Sequence, residues 1–289
     1  MLVDKNEISI EFALENDFDE ILKKITLFFE KEDDFFKIYV PTLYKEGKNT
    51  YKNHIVAKYQ NKIVGVLAFV VKDLYALNQT FRLAVVGSIC VDKNFRNLGI
   101  MTNMFNLLYK TYDDKIDVYA LLGKEERYRH YGFSKIDESK LYHYEKKDFG
   151  YSFVLMNEDN YVESLSIYNT LEYRVNRDDI FFDSLRMWYD QPYLIYKDKE
   201  YLGYLTYNFR NDRVEEVCLN KDYSFINDIM QSFAFFKNID LALKITKQNL
   251  FIERKVKHIK ELSFLQEKCL CRILNPKLEG VYIPRHDLI

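Results

Sequence analysis

The chain has 289 residues, 48% of them apolar, enough for two ordinary domains with buried cores. Lysine and arginine (42) nearly balance aspartate and glutamate (44), and no basic stripe with interleaved aromatics stands out, so nucleic acid is not the expected partner. The opening MLVDKNEISIEF carries acids where a signal peptide carries lysine and arginine, and the longest apolar run, Ile63 to Val71, is too short to span a bilayer; a cytoplasmic protein without membrane contact is expected.

The first half alternates strand and helix patterns. Ile8 to Ala13 reads as a strand, Asp17 to Phe29 as an amphipathic helix, and Phe35 to Lys45 as a second helix broken near Pro41. His54 to Tyr59 and Lys62 to Val71 are rich in β-branched and aromatic residues and flank a turn at Gln60-Asn61, which predicts a hairpin. Phe81 to Val91 is the next strand, followed by a turn at Asn94 to Gly99, a helix from Ile100 to Tyr112 and a buried strand from Ile116 to Leu122. A short helix at Glu125 to Tyr131, a turn at Gly132 and strand-like segments at Phe133 to Ile136 and Leu141 to Lys146 complete this half.

After Phe149-Gly150 the same order returns: strand Tyr151 to Met156, helices Tyr161 to Tyr173 and Asp179 to Tyr189, hairpin Tyr193 to Tyr207 and strand Arg213 to Leu219. Helix Asp222 to Phe236 follows, with strands at Asp240 to Lys244 and Leu270 to Leu274. The hairpins IVAKYQNKIVGVLAFVV and YLIYKDKEYLGYLTYNF share apolar alternation, a charged turn and a glycine three or four residues after a lysine, which points to duplication. Two similar domains are expected, 1–149 and 150–289. Cysteines 90, 218, 269 and 271 form no CxxC pair and have no histidine at zinc-ligand spacing, so buried free thiols and no metal are expected.

Chemistry concentrates in GSICVDKNFRNLGIMTNMFNLLYK, starting at Gly87. A buried strand ends at Val91, a turn holds Arg96 and Gly99, and a helix begins with free N-terminal amides. Such amides and the positive end of the helix dipole suit a pyrophosphate, and Arg96 adds charge and paired donors. A glycine that only turns the chain into an amphipathic helix is the competing reading.

These residues resemble motif A of the GNAT N-acetyltransferases, a bulged strand followed by Arg/Gln-x-x-Gly-x-Gly/Ala and a helix. Arg96 and Gly99 match, while Met101 replaces the usual glycine or alanine; Gly99-Ile100-Met101 is similar to the form in an Eis-like branch. Downstream, LLGKEERYRHYGF resembles motif B, with Tyr128 where that branch carries its general acid. The resemblance implies an α/β (α+β) fold of tandem GNAT units, each a mixed, mostly antiparallel twisted sheet flanked by helices. Residues 1–149 would be the catalytic acetyl-CoA-binding unit. Residues 150–289 would be a degenerate second unit, entered past Trp188, whose loop LNKDYSF has no Arg-x-x-Gly. In the family a sterol-carrier-like third domain follows, and it is expected to be missing here.

The expected cosubstrate is acetyl-CoA, held by Ile89, Cys90, Val91, Arg96, Asn97, Leu98, Gly99, Ile100, Met101 and Thr102, with no metal. The amide of Val91 is the expected oxyanion donor and Tyr128 the expected acid for the leaving thiolate. Glu30, Asp33 and Asp34 lie between the first two helices, where such enzymes recognise the acceptor and where an acidic rim would attract a cationic amine; an ordinary solvated charge run is the alternative. The family's C-terminal carboxylate takes part in deprotonation, which would make Ile289 its counterpart. His130 reads as a surface histidine. The implied activity is acetyl transfer to a primary amine of an aminoglycoside-like or polyamine-like small molecule, with a homo-oligomer left open. A non-catalytic acetyl-CoA sensor and a tandem-domain interaction protein remain as alternatives.

Overall fold

The computed structural model describes residues 7–135, 138–220, 222–246, 250–257, 259–266, 269–279, 283, 287 and 288. The chain opens with strand β1 (Ile8–Phe12), followed by helices α1 (Phe18–Phe28), α2 (Phe35–Tyr39) and α3 (Pro41–Tyr44). Next come β2 (His54–Tyr59), β3 (Lys62–Ala76), β4 (Gln79–Val91), helix α4 (Ile100–Tyr112), β5 (Val118–Leu122), α5 (Glu125–Tyr128) and β6 (Ser134–Lys135). The turn Gln60-Asn61 has φ of 49° and 61°, and Leu77-Asn78 has 53° and 56°. Two positive-φ residues in a two-residue loop match the right-handed twist of the strands they join, so β2, β3 and β4 run on as tight hairpins.

The later elements are β7 (Glu138–Tyr144), β8 (Tyr151–Leu155), α6 (Val162–Tyr168), β9 (Arg174–Val175), α7 (Phe181–Leu185), β10 (Asp190–Lys197), β11 (Glu200–Asn208) and β12 (Arg213–Leu219). Helix α8 (Ile226–Lys237), β13 (Leu241–Ile245), α9 (Leu250–Glu253), β14 (Glu261–Gln266) and β15 (Cys269–Ile273) follow. Sheet order is β1-β2-β3-β4-β5-β15-β6 in one sheet, with β9 pairing on β3, and β14-β7-β13-β12-β11-β10-β8 in the other. Each sheet has one parallel pair joined by a helical crossover, β4–β5 through α4 and β12–β13 through α8; its other neighbours are antiparallel.

The sheets do not divide at residue 150. Strand β7, on the first-half side of that boundary, pairs with β13 and β14 in the second sheet. Strand β15, on the far side, lies between β5 and β6 in the first. Packing explains the exchange: Tyr142 and Tyr144 of β7 join the apolar cluster under α8, whereas Cys269, Leu270 and Cys271 are buried within the first sheet. Both late helices are also shorter than their sequence pattern predicts. The second stops at Leu185 because Trp188 and Tyr189 have positive φ, 56° and 76°, which no right-handed helix accommodates. All four cysteines are free, three buried and Cys90 half-buried. Among the described residues no helix is long and apolar enough to cross a membrane.

One face of the first sheet packs against α1 to α3 through Ile21, Ile25, Phe36 and Leu43. The opposite face takes Ile100, Met104, Phe105 and Leu108 of α4. Between the sheets, the fully buried Arg177 makes bidentate pairs with Asp287 at 2.9 Å and with Glu216 of β12 at 2.9 and 3.0 Å. Lys72 of β3 lies 3.4 Å from the Asp287 carbonyl oxygen, so this network ties both sheets to the last turn of the chain. Such charges are tolerated only while fully paired.

A second buried polar group sits between α3 and β2. His54 is fully buried, its Nδ1 3.0 Å from the Thr50 carbonyl oxygen and its Nε2 2.9 Å from Tyr44 Oη. Burial pushes its imidazole down to about 4. Between that value and the unfolded value of about 6.5 only the unfolded chain binds the proton, so this contribution to stability is complete above about pH 6.5 and is lost as pH falls towards 4. The wild-type protein is therefore expected to lose about 3 kcal/mol more stability than a His54→Gln variant between pH 6.5 and 4. Urea denaturation of both proteins across that interval checks this, and parallel pH profiles would refute it.

Candidate active site

Strand β4 pairs in parallel with β5 from Leu83 to Val86, opposite Val118 to Leu121. There the pairing stops, and Gly87 to Val91 continue along β3 alone. The break coincides with a bulge: Val66 pairs with Cys90 and Ala68 with Gly87, leaving two residues of β4 opposite Leu67, and Ser88 has a φ of 47°. Asp92 N donates to Val64 O at 2.8 Å, so the alternation of the ladder turns the Val91 N–H to the edge that β5 has left.

Beyond Val91, Asp92 caps a short turn by accepting the Asn94 N–H at 2.9 Å. Gly99 enters α4 with φ 78° and ψ 8°, a conformation that costs glycine little. The first bond of the helix runs from Asn103 N to Gly99 O at 3.0 Å. The N–H groups of Gly99, Ile100, Met101 and Thr102 meet no protein acceptor among the described residues. Four free amides at the positive end of a helix form an anion site. Arg96 is exposed beside them, its Nε 3.5 Å from Val91 O.

These elements border a cleft of about 560 Å³. Of the residues expected to hold acetyl-CoA, Ile89, Cys90, Val91, Arg96, Asn97, Gly99, Ile100, Met101 and Thr102 line it, whereas Leu98 is half-buried against the α4 core. Five further lining residues escaped the sequence reading: Phe28, Phe29, Phe95, Arg127 and Tyr131. Arg127 brings a second cation. Tyr131 is clamped to α4 by stacking on Phe105 at 4.4 Å between ring centroids and by its hydroxyl, 3.1 Å from Thr102 Oγ1.

Tyr128 is buried, 5% exposed, its ring edge-on to Phe105 and Phe133. It fits because position 123 is glycine: a Cβ there would stand 2.4 Å from Tyr128 Cε2. Burial holds its phenol above the ordinary range, against the opposing pull of Arg127, while Tyr131 and Cys90 add smaller upward pushes. Those three neighbours all line the cleft, whereas Tyr128 itself lies behind them and is not part of its lining. Burial also pushes the Cys90 thiol up to about 12. Glu30, Asp33 and Asp34 do not line the cleft; they are exposed just past Phe29, and Asp34 pairs with Lys37 at 2.8 Å. His130 is exposed. Ile289 lies outside the described residues, as does Ile136 at the end of a predicted strand.

At the corresponding loop of the second half, after β12, a smaller pocket of about 290 Å³ is lined by Asp198, Glu200 and Asp222 together with Lys197 and Phe225.

Residues 9–136 match the family described as acetyltransferase (GNAT) domain. No curated protein matches the sequence. Among solved structures, a GCN5-related N-acetyltransferase from Kribbella flavida superposes with a TM-score of 0.68 at 12% identity, covering 94% of this chain and 73% of that one. A probable N-acyltransferase from Enterococcus faecalis gives 0.67 at 13% identity, covering 93% and 72%. Eis1 from Mycobacterium abscessus gives 0.61 at 13% identity, covering 92% and 73%. At such identities the likeness is one of fold, and it runs across both sheets. The bulged strand and the amide-headed helix both fall within residues 9–136, the part of this chain that matches the GNAT acetyltransferase domain family.

Proposed function

We propose that the protein is an N-acetyltransferase that passes acetyl from acetyl-CoA to a primary amine of a small molecule, aminoglycoside-like or polyamine-like, by direct attack. The observation that carries this reading is the run of free amides from Gly99 to Thr102, opening beside the unpaired end of β4. These amides, Arg96 and Arg127 fit a pyrophosphate: all lie on one cleft, and their charge matches an anion. Acetyl-CoA, when bound, supplies the activated acetyl group.

The chain's own residues supply orientation and a proton. The Val91 N–H, freed by the departure of β5, is the donor for the acyl oxygen. Tyr128 Oη, kept protonated by burial, holds the proton that the leaving sulfur takes up. Cys90 stays a thiol at neutral pH and is a poor nucleophile, which favours direct attack over an acylated cysteine. Phe28 and Phe29 give the acceptor side an aromatic wall, and Glu30, Asp33 and Asp34 just beyond them attract a cation. The second half is not proposed to hold coenzyme, since the carboxylates around its loop repel a pyrophosphate.

Calorimetric titration of acetyl-CoA is expected to give micromolar binding for the wild type and about 100-fold weaker binding for Gly99→Asp, which sets a carboxylate at the helix head. Failure of the wild type to bind would sink the proposal. Tyr128→Phe is expected to lower kcat by about 10²- to 10⁴-fold, as for loss of a general acid, with acetyl-CoA affinity held within about threefold. Full turnover in that variant would remove Tyr128 from the mechanism.

A further inference from the structure

Ser88 adopts a conformation that glycine adopts far more readily, and the bulge that imposes it also redirects its side chain. Before the bulge Val85 packs on the α1–α3 face and Val86 on the α4 face. Beyond it Cys90 packs on the α1–α3 face, while Ile89 and Val91 pack on the α4 face. Strict alternation would send Ser88 to the α4 side with Val86. The inserted residue turns it towards α3, where its Oγ lies 3.1 Å from Tyr44 Oη. Ser88 is half-exposed and directly precedes Ile89, which lines the cleft.

The proton order in this chain of side chains is fixed at its buried end. The Thr50 carbonyl oxygen only accepts, so His54 carries its proton on Nδ1 and, as a neutral ring, presents a lone pair at Nε2. Tyr44, 2.9 Å away, directs its single hydroxyl proton there. The same hydroxyl oxygen lies 3.1 Å from Ser88 Oγ. Ser88 Oγ has no further hydrogen bond among the described residues, and its free lone pairs remain for the open side.

We propose that Ser88 is the residue that positions the acceptor, its Oγ accepting an N–H of the attacking primary amine, with Tyr44 and His54 as the positioning residues that orient it. The proposal rests on the acetyltransferase reading above. It selects by chemistry: a primary amine whose lone pair points at the acyl carbon still has two N–H donors, whereas an alcohol's only O–H proton is the one it must lose. The chain of side chains is not the base. Burial keeps the His54 imidazole near 4, far below an alkylammonium at about 10.4, so a proton does not settle there.

Steady-state kinetics with spermidine and kanamycin as probe amines, beside acetyl-CoA titrations and thermal melts, test the assignment in Ser88→Ala, Ser88→Gly and Tyr44→Phe. Both serine variants are expected to raise KM for the amine about tenfold, with acetyl-CoA affinity within about twofold. Tyr44→Phe should raise that KM similarly and add nothing to Ser88→Ala. A Ser88→Gly variant with wild-type KM would show that the position needs only its backbone conformation and would overturn the proposal. Equal weakening of amine and acetyl-CoA would overturn it too, as would a wild type that binds acetyl-CoA but acetylates neither probe. A wild type without acetyl-CoA binding would instead bring down the reading on which the proposal stands.

Discussion

The parallel ladder between β4 and β5 ends at Val86 and Leu121, and the features of the site follow from that ending. An extra residue at Ser88 bends β4 away from its neighbour, as bulges do when they terminate pairing. Leaving Gly87 to Val91 without a partner on that edge would be costly inside a sheet, because backbone N–H groups are obligatory donors. Here the edge opens on a cleft, where the Val91 N–H meets whatever enters. The same bend fixes the direction from which α4 begins and turns Ser88 to face Tyr44. A change that let β4 and β5 pair to their ends would close the slot.

Charge is distributed to match. The chain as a whole carries a net charge of −2, yet the head of α4 gathers four free amides, Arg96 and Arg127 around one cleft. The second sheet has its own parallel pair β12–β13 and crossover α8, and the loop between them is bordered by Asp198, Glu200 and Asp222 together with Lys197. The second sheet instead contributes to the first structurally, by taking in β7 and by sharing the buried Arg177, Asp287 and Glu216 network.

Local features were legible in the sequence. The helix Ile100–Tyr112 starts and stops where periodicity and Gly99 predict, because a glycine entry followed by an apolar stripe depends on neighbouring residues alone. The hairpin at Gln60-Asn61 was readable for the same reason. Pairings between distant segments were not. The run Cys269–Ile273 is apolar whichever sheet receives it, and only its registration against Val118–Leu122 reveals the exchange. The relay from His54 through Tyr44 to Ser88 joins residues 10 and 44 positions apart, and the bulge that links them reverses the face that alternation assigns to Ser88. Phe28 and Phe29 read as the end of an amphipathic helix, and it takes the fold to set them on the cleft.

In the proposed coenzyme site the freed end of β4 and the head of α4 form one cradle. Amide hydrogen exchange of the protein with and without coenzyme A tests it most directly, because the amides of Gly99, Ile100, Met101 and Thr102 have no protein acceptor of their own. The account predicts that coenzyme A slows exchange at these four positions and at Val91, and leaves the loop after β12 unchanged. Protection that appeared at that second loop, or nowhere near Gly99, would contradict it.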